Sequence, residues 1–149
     1  LVHDEKGLML LRNKKRHDLN HGKWIGVGGK LKINETPYEC MVREVIEETG
    51  YQVQSALYCG IIHFHYEHHE DEEIYVYQTS DYVGTLHECS EGTLAYIPKK
   101  DILDLELWEG DRIFLEKMFR NEVPFSIRLY YDENEIIIKS EVKEANTNE

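Results

Sequence analysis

Three glutamates, Glu44, Glu47 and Glu48, have the types and spacing that metal chemistry requires. At about 100° per residue, positions i, i+3 and i+4 of a helix point to one side, so the three carboxylates form one acidic patch. Their charges repel each other, and the adjacent Arg43 cannot neutralise all three. Hard divalent cations prefer oxygen ligands, and Mg²⁺ binds through a few carboxylates together with substrate phosphates. Most acidic clusters by themselves are solvated helix faces, so the residues around the patch decide between that interpretation and a metal site.

The residues around this patch predict a helix with defined ends. Thr36 suits the N-cap, Pro37 suits the first helical position, and Glu39 completes a capping box. Gly50 suits the left-handed residue that ends a helix. Apolar side chains recur opposite the glutamates, so we expect them to pack on the core while the acidic face points outward. This apolar face consists of Tyr38, Val42, Val45, Ile46 and Thr49.

A glycine-rich segment directly precedes the helix. Gly26, Gly28 and Gly29 allow the backbone to approach an anion closely, and Lys30 adds a positive charge. A second basic segment, residues 14–16, is either a solvated loop or a further contact for phosphate. The glycine segment and the acidic patch together predict a site for a metal ion and a phosphate group.

The series Gly29, Glu35 and the run from Arg43 to Gly50 resembles the signature motif of the Nudix family. Its last position departs from the pattern, because Tyr51 stands where an aliphatic residue is usual. The resemblance implies an α+β protein with the Nudix fold, an α/β/α sandwich containing a mixed sheet and a loop-helix-loop catalytic motif. Two amphipathic helices among alternating strands agree with that fold class.

The resemblance also implies a ligand set for Mg²⁺, for which Mn²⁺ is a possible substitute. The implied ligands are Glu44, Glu47, Glu48, Glu91 and the Gly28 carbonyl. Lys30 and Gly29 are then expected to contact phosphate.

The catalytic set implied by the resemblance is Glu44, Glu47, Glu91 and Arg43. In this set Arg43 orients the carboxylates, because a guanidinium can hold a carboxylate through two hydrogen bonds. Glu44 and Glu91 are alternative general bases, and Glu88 is a weaker candidate in the same loop as Glu91.

Two residues outside the motif bear on the substrate. Trp108 either stacks on a purine base whose edge Asp111 hydrogen-bonds, or it is a core residue that precedes a helix starting near Asp111. The wider sequence resembles bacterial Nudix proteins of the 8-oxo-dGTP diphosphatase type. The implied reaction is hydrolysis of an oxidised purine nucleoside triphosphate to monophosphate and pyrophosphate. Ile25 departs from mammalian-type relatives, which place a base-reading asparagine after the tryptophan that matches Trp24.

Two alternatives remain open at this point. The first is another Nudix substrate, such as an ordinary nucleoside triphosphate, a dinucleoside polyphosphate or a nucleotide sugar, since the motif contacts the diphosphate that all of them share. The second is a non-catalytic Nudix domain that senses a nucleotide. Such domains typically lose carboxylates of the motif, whereas this sequence retains them.

Composition limits the class of protein. A chain of 149 residues with 41% hydrophobic and 31% charged residues predicts one domain, residues 1–142, followed by a flexible polar tail, 143–149. A net charge of −12 argues against a nucleic-acid polymer as partner, and no stretch has the length of a membrane span. The three cysteines, without a C-x-x-C pair, indicate reduced thiols and a cytoplasmic protein. We expect a monomer or homodimer, and an N-terminus that lacks some preceding residues.

Apolar alternation and turn residues predict the remaining elements. Strands are expected at 1–3, 8–12, 24–27, 51–66 with a break near Gly60, 74–80, 93–97, 125–131 and 135–140. A short helical turn is expected within 101–107 and a full helix at 111–120.

Overall fold

The computed structural model describes residues 1–15 and 20–144. These residues form eight strands and three helices. The strands are β1 (Val2–Asp4), β2 (Gly7–Asn13), β3 (Trp24–Ile25), β4 (Tyr51–Tyr66), β5 (Glu72–Gly84), β6 (Gly92–Ile97), β7 (Phe125–Tyr131) and β8 (Ile137–Glu144). The helices are α1 (Pro37–Thr49), α2 (Lys99–Ile102) and α3 (Glu109–Phe119).

The chain divides into two compact units, and strands β4 and β5 contribute residues to both. The first unit comprises residues 1–57 and 78–106. Its strands follow the order β3-β2-β1-β5, and β6 also pairs with β2. Val2 of β1 lies parallel to Thr79 of β5, whereas β2 runs antiparallel to β1, β3 and β6.

The second unit comprises residues 58–77 and those from Leu107 onward. Here β4 pairs in parallel with β7, from Gly60 beside Phe125 to Tyr66 beside Tyr131. Strand β8 then pairs antiparallel with β7. Both units therefore contain parallel and antiparallel pairs, which confirms the mixed sheet expected from the sequence.

Helix α1 begins and ends as the sequence predicts. The Glu39 N–H donates to Thr36 Oγ1 at 3.1 Å, and the Thr36 N–H donates to Glu39 Oε1 at 2.9 Å. Pro37 occupies the first turn of the helix, where backbone N–H groups have no partner within the helix, so the N–H that proline lacks is not needed. Gly50 has φ 88°, and its N–H donates to the Ile46 carbonyl. Local capping chemistry thus sets the length of the helix.

The predicted buried face of α1 is wrong in part. Val45 packs with Val2, Met9 and Val53 in the core of the first unit, but Tyr38 and Ile46 are exposed. Glu48, expected to point outward, has only 6% of its surface exposed. The buried residues of α1 are Cys40, Val45, Glu48 and Thr49. Glu48 belongs to this set, and its carboxylate accepts a hydrogen bond from the glycine segment.

Tyr51 is accommodated by two other tyrosines. Its ring centroid lies 4.5 Å from that of Tyr82, and the Tyr96 hydroxyl lies 3.4 Å from the Tyr51 hydroxyl. The Tyr82 and Tyr96 hydroxyls are 2.8 Å apart. The polar end of the ring therefore has a hydrogen-bond partner at a position where an aliphatic side chain would need none.

Other boundaries differ from the sequence prediction. The predicted break near Gly60 is wrong, because β4 continues through it with φ 147° at the glycine. A Cβ on Gly60 would collide with the backbone oxygen of Phe125, so glycine permits close pairing of β4 with β7. The short helix lies at Lys99–Ile102, earlier than expected.

Strand β8 runs to Glu144, two residues into the predicted polar tail, and the rest of that tail lies outside the described residues. Cys40, Cys59 and Cys89 are free thiols, as expected. Among the described helices, none combines the length and hydrophobicity needed to cross a membrane.

We expect Thr36→Ala to lower the free energy of unfolding by about 1 kcal/mol, because it removes the hydroxyl that caps α1. Denaturant titration followed by circular dichroism measures this change. Thr85→Ala, in an exposed loop, is the matched control and is expected to shift the free energy by less than about 0.5 kcal/mol. Equal effects of the two substitutions would contradict the role of the capping box.

Candidate active site

Arg43 connects helix α1 to the segment that precedes it. Its Nε and NH2 donate to the two carboxylate oxygens of Glu35 at 2.7 and 2.9 Å. NH2 also donates to the Lys30 carbonyl at 3.1 Å. This fork holds the loop against the helix, and hydrogen bonding from Arg43 lowers the pKa of Glu35 to about 2.

The same guanidinium also holds two of the predicted metal ligands. NH1 donates to Glu44 Oε2 at 2.6 Å and lies 3.4 Å from Glu47 Oε2. The Glu44 side chain is mostly buried, whereas that of Glu47 is 53% exposed. Arg43 therefore holds Glu44 tightly and Glu47 loosely.

Gly29 packs directly against the carboxylate of Glu44. A Cβ at Gly29 would lie 2.5 and 2.6 Å from the two Glu44 oxygens, which is closer than van der Waals contact allows, so the carboxylate would have to move. A Cβ at Gly28 would meet nothing within 4 Å. Of these two glycines, Gly29 is required for the observed position of Glu44 and Gly28 is not. The sequence pattern alone does not distinguish them.

Glu48 is the buried carboxylate of the site. Its Oε2 accepts a hydrogen bond from the Gly28 N–H at 2.9 Å. Burial, together with the nearby charges of Glu91 and Glu44, raises the pKa of Glu48 to about 8. In the described part of the chain, no Lys or Arg forms an ion pair with it. A buried carboxylate among like charges favours a proton or a bound cation.

The loop after β5 brings Glu91 to this position. The His87 N–H donates to the Thr49 carbonyl at 2.9 Å, and the Lys14 N–H donates to the Glu91 carbonyl at 2.9 Å. Gly50 lies close enough to the Thr85 carbonyl that a Cβ would collide with it. These contacts place the loop across the C-terminal end of α1, where Glu48 lies.

Ligand atoms of Glu48, Cys89 and Glu91 lie within 4.8 Å of one another. The Lys15 Nζ also lies 2.7 Å from Glu91 Oε1. The structure therefore brings Glu91 to Glu48, and it leaves Glu88 exposed elsewhere on the loop. Lys15 belongs to the basic segment that the sequence offered as a further contact for phosphate. Sequence reasoning missed Cys89 as a neighbour of the site, and its available signal was its position two residues before Glu91.

The carboxylates of Glu48 and Glu91, with Glu44 beside them, are donors that suit a hard divalent cation. The Gly28 N–H contacts Glu48, and the part expected of the Gly28 carbonyl as a metal ligand stays a prediction. Lys30 is exposed, and its own backbone carbonyl is held by Arg43. Arg16, the last member of the basic segment, lies outside the described residues.

Trp108 belongs to the second unit and is 4% exposed. Its ring meets those of Phe64, Tyr66 and Tyr131 edge-on, with centroids 5.3, 5.7 and 4.9 Å away. This arrangement is that of a core side chain, the second of the two interpretations that the sequence left open. Base stacking by Trp108 stays a prediction.

Asp111 lies in the first turn of α3, three residues after Trp108. Desolvation raises the pKa of its carboxyl to about 7, against a smaller opposite effect from Arg112. Next to it, the Gly110 N–H donates to the Tyr131 hydroxyl at 2.6 Å. Near neutral pH, a protonated Asp111 can donate a hydrogen bond as well as accept one.

Comparison with known proteins identifies the family. The model of the NUDIX domain matches residues 1–118, most of the chain. The chain belongs to the Nudix family. That membership supports hydrolysis as the class of reaction, and it agrees with the acidic helix described above.

Individual relatives agree with this assignment. The oxidized purine nucleoside triphosphate hydrolase of Danio rerio is 28% identical over 119 residues, covering 79% of this chain and 76% of that protein. A MutT protein of Bacillus halodurans superposes with a TM-score of 0.84 at 20% identity, over 95% of this chain and 93% of that one. A MutT protein of Methanosarcina mazei Go1 has a TM-score of 0.72 at 28% identity, over 83% and 91% of the two chains. The fold is the Nudix fold.

We expect Gly29→Ala to weaken divalent-cation binding to this Nudix site by at least about tenfold, because the new methyl group displaces the Glu44 carboxylate. Gly28→Ala is the matched control and is expected to change the affinity by less than about threefold. Mn²⁺ titration followed by electron paramagnetic resonance measures both. Equal losses in the two proteins would show that glycine flexibility, not contact with Glu44, is what matters.

We expect Asp111→Asn to flatten the pH dependence of stability. The pKa of Asp111 is about 7 in the folded protein and near 3.8 when unfolded. The folded state therefore binds more protons between these values, and stability falls as pH rises through this window. The loss approaches roughly 4 kcal/mol at most. Urea titrations from pH 4 to 8 measure the free energy of unfolding. Parallel plots of that free energy against pH for the native protein and Asp111→Asn would contradict the raised pKa of Asp111.

Proposed function

We propose that this chain hydrolyses purine nucleoside triphosphates in a Mg²⁺-dependent reaction that releases monophosphate and pyrophosphate, with 8-oxo-dGTP as the expected substrate. The observation that carries the proposal is the approach of Glu48 and Glu91 beside the Gly28 backbone, with Glu44 held in place by Arg43. The curated relative from Danio rerio, named as an oxidized purine nucleoside triphosphate hydrolase, supports the choice of substrate.

The proposed cation ligands are Glu44, Glu48 and Glu91, with Glu47 and the Gly28 carbonyl as further donors. When bound, Mg²⁺ neutralises the phosphate charge and the charge that develops during phosphoryl transfer. Lys30 and Gly29 are proposed to contact the phosphates. Mn²⁺ is expected to substitute, because it accepts the same oxygen ligands.

In the proposed reaction, the oxygen of a water molecule bonds to the α-phosphorus while the bond from that phosphorus to the bridging oxygen breaks. Pyrophosphate leaves with the bridging oxygen, and the water proton passes to Glu44 or Glu91. Arg43 acts as a positioning residue, because its hydrogen bonds hold Glu44 and, more weakly, Glu47. Its other bonds, to Glu35 and the Lys30 carbonyl, keep the glycine segment against the helix.

Asp111 is proposed to recognise the base, and Trp108, the other residue of the predicted pair, to support it from the core. The raised pKa of Asp111 supports its part in this proposal, because a carboxyl that titrates near neutral pH can both donate to and accept from the edge of a purine. Trp108 contributes by positioning α3, since its ring is enclosed by three aromatic side chains.

The experiment is a hydrolysis panel with Mg²⁺, comparing kcat/KM for 8-oxo-dGTP, dGTP, other triphosphates and ADP-ribose, with identification of the products. We expect preference for 8-oxo-dGTP, and a weaker preference over dGTP in Asp111→Asn. Glu48→Gln is expected to lower kcat by at least about 100-fold. The control is Glu5→Gln, an exposed residue in the turn between β1 and β2.

Equal rates on all triphosphates would reduce the proposal to a general nucleotide hydrolase. Preference for ADP-ribose would assign a different Nudix substrate. Full turnover by Glu48→Gln would contradict the proposed set of metal ligands. Absence of turnover on every substrate would favour a nucleotide-sensing domain.

A further inference from the structure

The thiol of Cys89 lies among the carboxylates of the candidate metal site. One ligand atom each from Cys89, Glu48 and Glu91 fall within 4.8 Å of one another. Glu48 is buried, and the other two residues are half-buried. A cation that contacts both carboxylates is therefore also within reach of the Cys89 Sγ.

The backbone holds Cys89 in this place. The loop is attached on one side by the hydrogen bond from the His87 N–H to the Thr49 carbonyl, and on the other by that from the Lys14 N–H to the Glu91 carbonyl. Glu91 is followed directly by β6, whose Gly92 pairs with Asn13 of β2. The thiol is thus presented by a loop that is anchored on both sides of it.

We propose that Cys89 is a thiolate ligand for the divalent cation of this site, which gives the site affinity for thiophilic cations such as Co²⁺, Zn²⁺ and Cd²⁺. This inference rests on the proposed function, because it concerns the same cation. A borderline or soft cation selects sulfur, whereas Mg²⁺ selects oxygen and leaves the thiol protonated. When a thiophilic cation binds, a bond forms between Sγ and the metal, and the thiol proton is released to solvent.

The ligand set differs in kind from an all-oxygen site. Two carboxylates and a thiolate would supply three negative charges, one of them on sulfur, which thiophilic cations prefer to oxygen. Cys40 and Cys59 offer no such alternative. The Cys40 thiol contacts the Gly29 carbonyl and Arg43, and Cys59 is fully buried in β4.

The test is a Co²⁺ titration of the reduced full chain, followed by the near-ultraviolet charge-transfer absorption that a thiolate bound to cobalt produces. We expect the band in the native protein and in Cys59→Ala, the matched cysteine control, and its loss in Cys89→Ser. Cd²⁺ affinity, measured by calorimetry, should fall at least about tenfold in Cys89→Ser, while Mn²⁺ affinity changes less than about threefold.

Two carboxylate variants separate a metal site from an isolated reactive thiol. Glu48→Gln and Glu91→Gln should each weaken the cobalt affinity by about tenfold or more while the band keeps its position. Two independent variants keep the test valid if one of them fails to fold. A band that persists in Cys89→Ser, or an affinity that both carboxylate substitutions leave unchanged, would overturn the proposal.

The outcome is independent of turnover. A protein that shows the cobalt band but hydrolyses no nucleotide would support Cys89 as a ligand and reject the proposed enzyme activity. A protein that hydrolyses nucleotides with Mg²⁺ but lacks the cobalt band would support the proposed enzyme activity and reject Cys89 as a ligand.

Discussion

The hydrogen bonds of Arg43 connect most of the parts from which the candidate site is built. One guanidinium reaches Glu35 through two bonds, Glu44 through a third and the Lys30 carbonyl through a fourth. The bond from the Gly28 N–H to Glu48 and the contact of the Cys40 thiol with the Gly29 carbonyl add to this connection between loop and helix. Because guanidinium is planar, its bonds fix directions as well as distances, and lysine could not make them all. The arrangement of the carboxylates therefore depends on one side chain that carries none of the proposed chemistry.

Placing Glu48 in the site has a cost in free energy, because an ionised carboxylate is buried there among like charges. A carboxylate with 6% exposure has lost most of its hydration, and it accepts a backbone hydrogen bond from the Gly28 N–H. The neighbouring Glu44 and Glu91 make the cost of ionisation larger, so the pKa rises to about 8. A divalent cation relieves both effects, since it replaces the lost hydration and neutralises the repulsion. Cation binding and the folded position of Glu48 thus stabilise each other.

Packing of aromatic rings is the main feature of the second unit. Trp108, Phe64, Tyr66 and Tyr131 pack edge-to-face or at a tilt, so this unit is stabilised mainly by apolar contacts. The Tyr131 hydroxyl accepts the Gly110 N–H, one of the free donors at the start of α3, and Asp111 follows within the same turn. A titrating carboxyl beside a rigid aromatic cluster suits recognition better than phosphate binding.

The sequence by itself determined the features that depend on neighbours along the chain. The ends of α1 follow from Thr36, Glu39 and Gly50, since capping acts within one helical turn. The spacing of Glu44, Glu47 and Glu48, with the glycines before them, indicated the family and the class of site. Strand positions followed from alternation, whereas their ends did not, because the length of a strand such as β5 depends on its pairing partners.

Only the tertiary structure decided which carboxylate is buried, which groups join it, and how Trp108 is used. Glu48 turns inward, where its Oε2 accepts a hydrogen bond from the N–H of Gly28, twenty positions earlier in the chain. Cys89 and Lys15 reach the site through pairing of β2 with β6 and contacts at the end of α1, all of them distant in sequence. Trp108 is enclosed by rings from β4 and β7. Such contacts leave no local pattern, because burial is a property of the assembled sheet and helices.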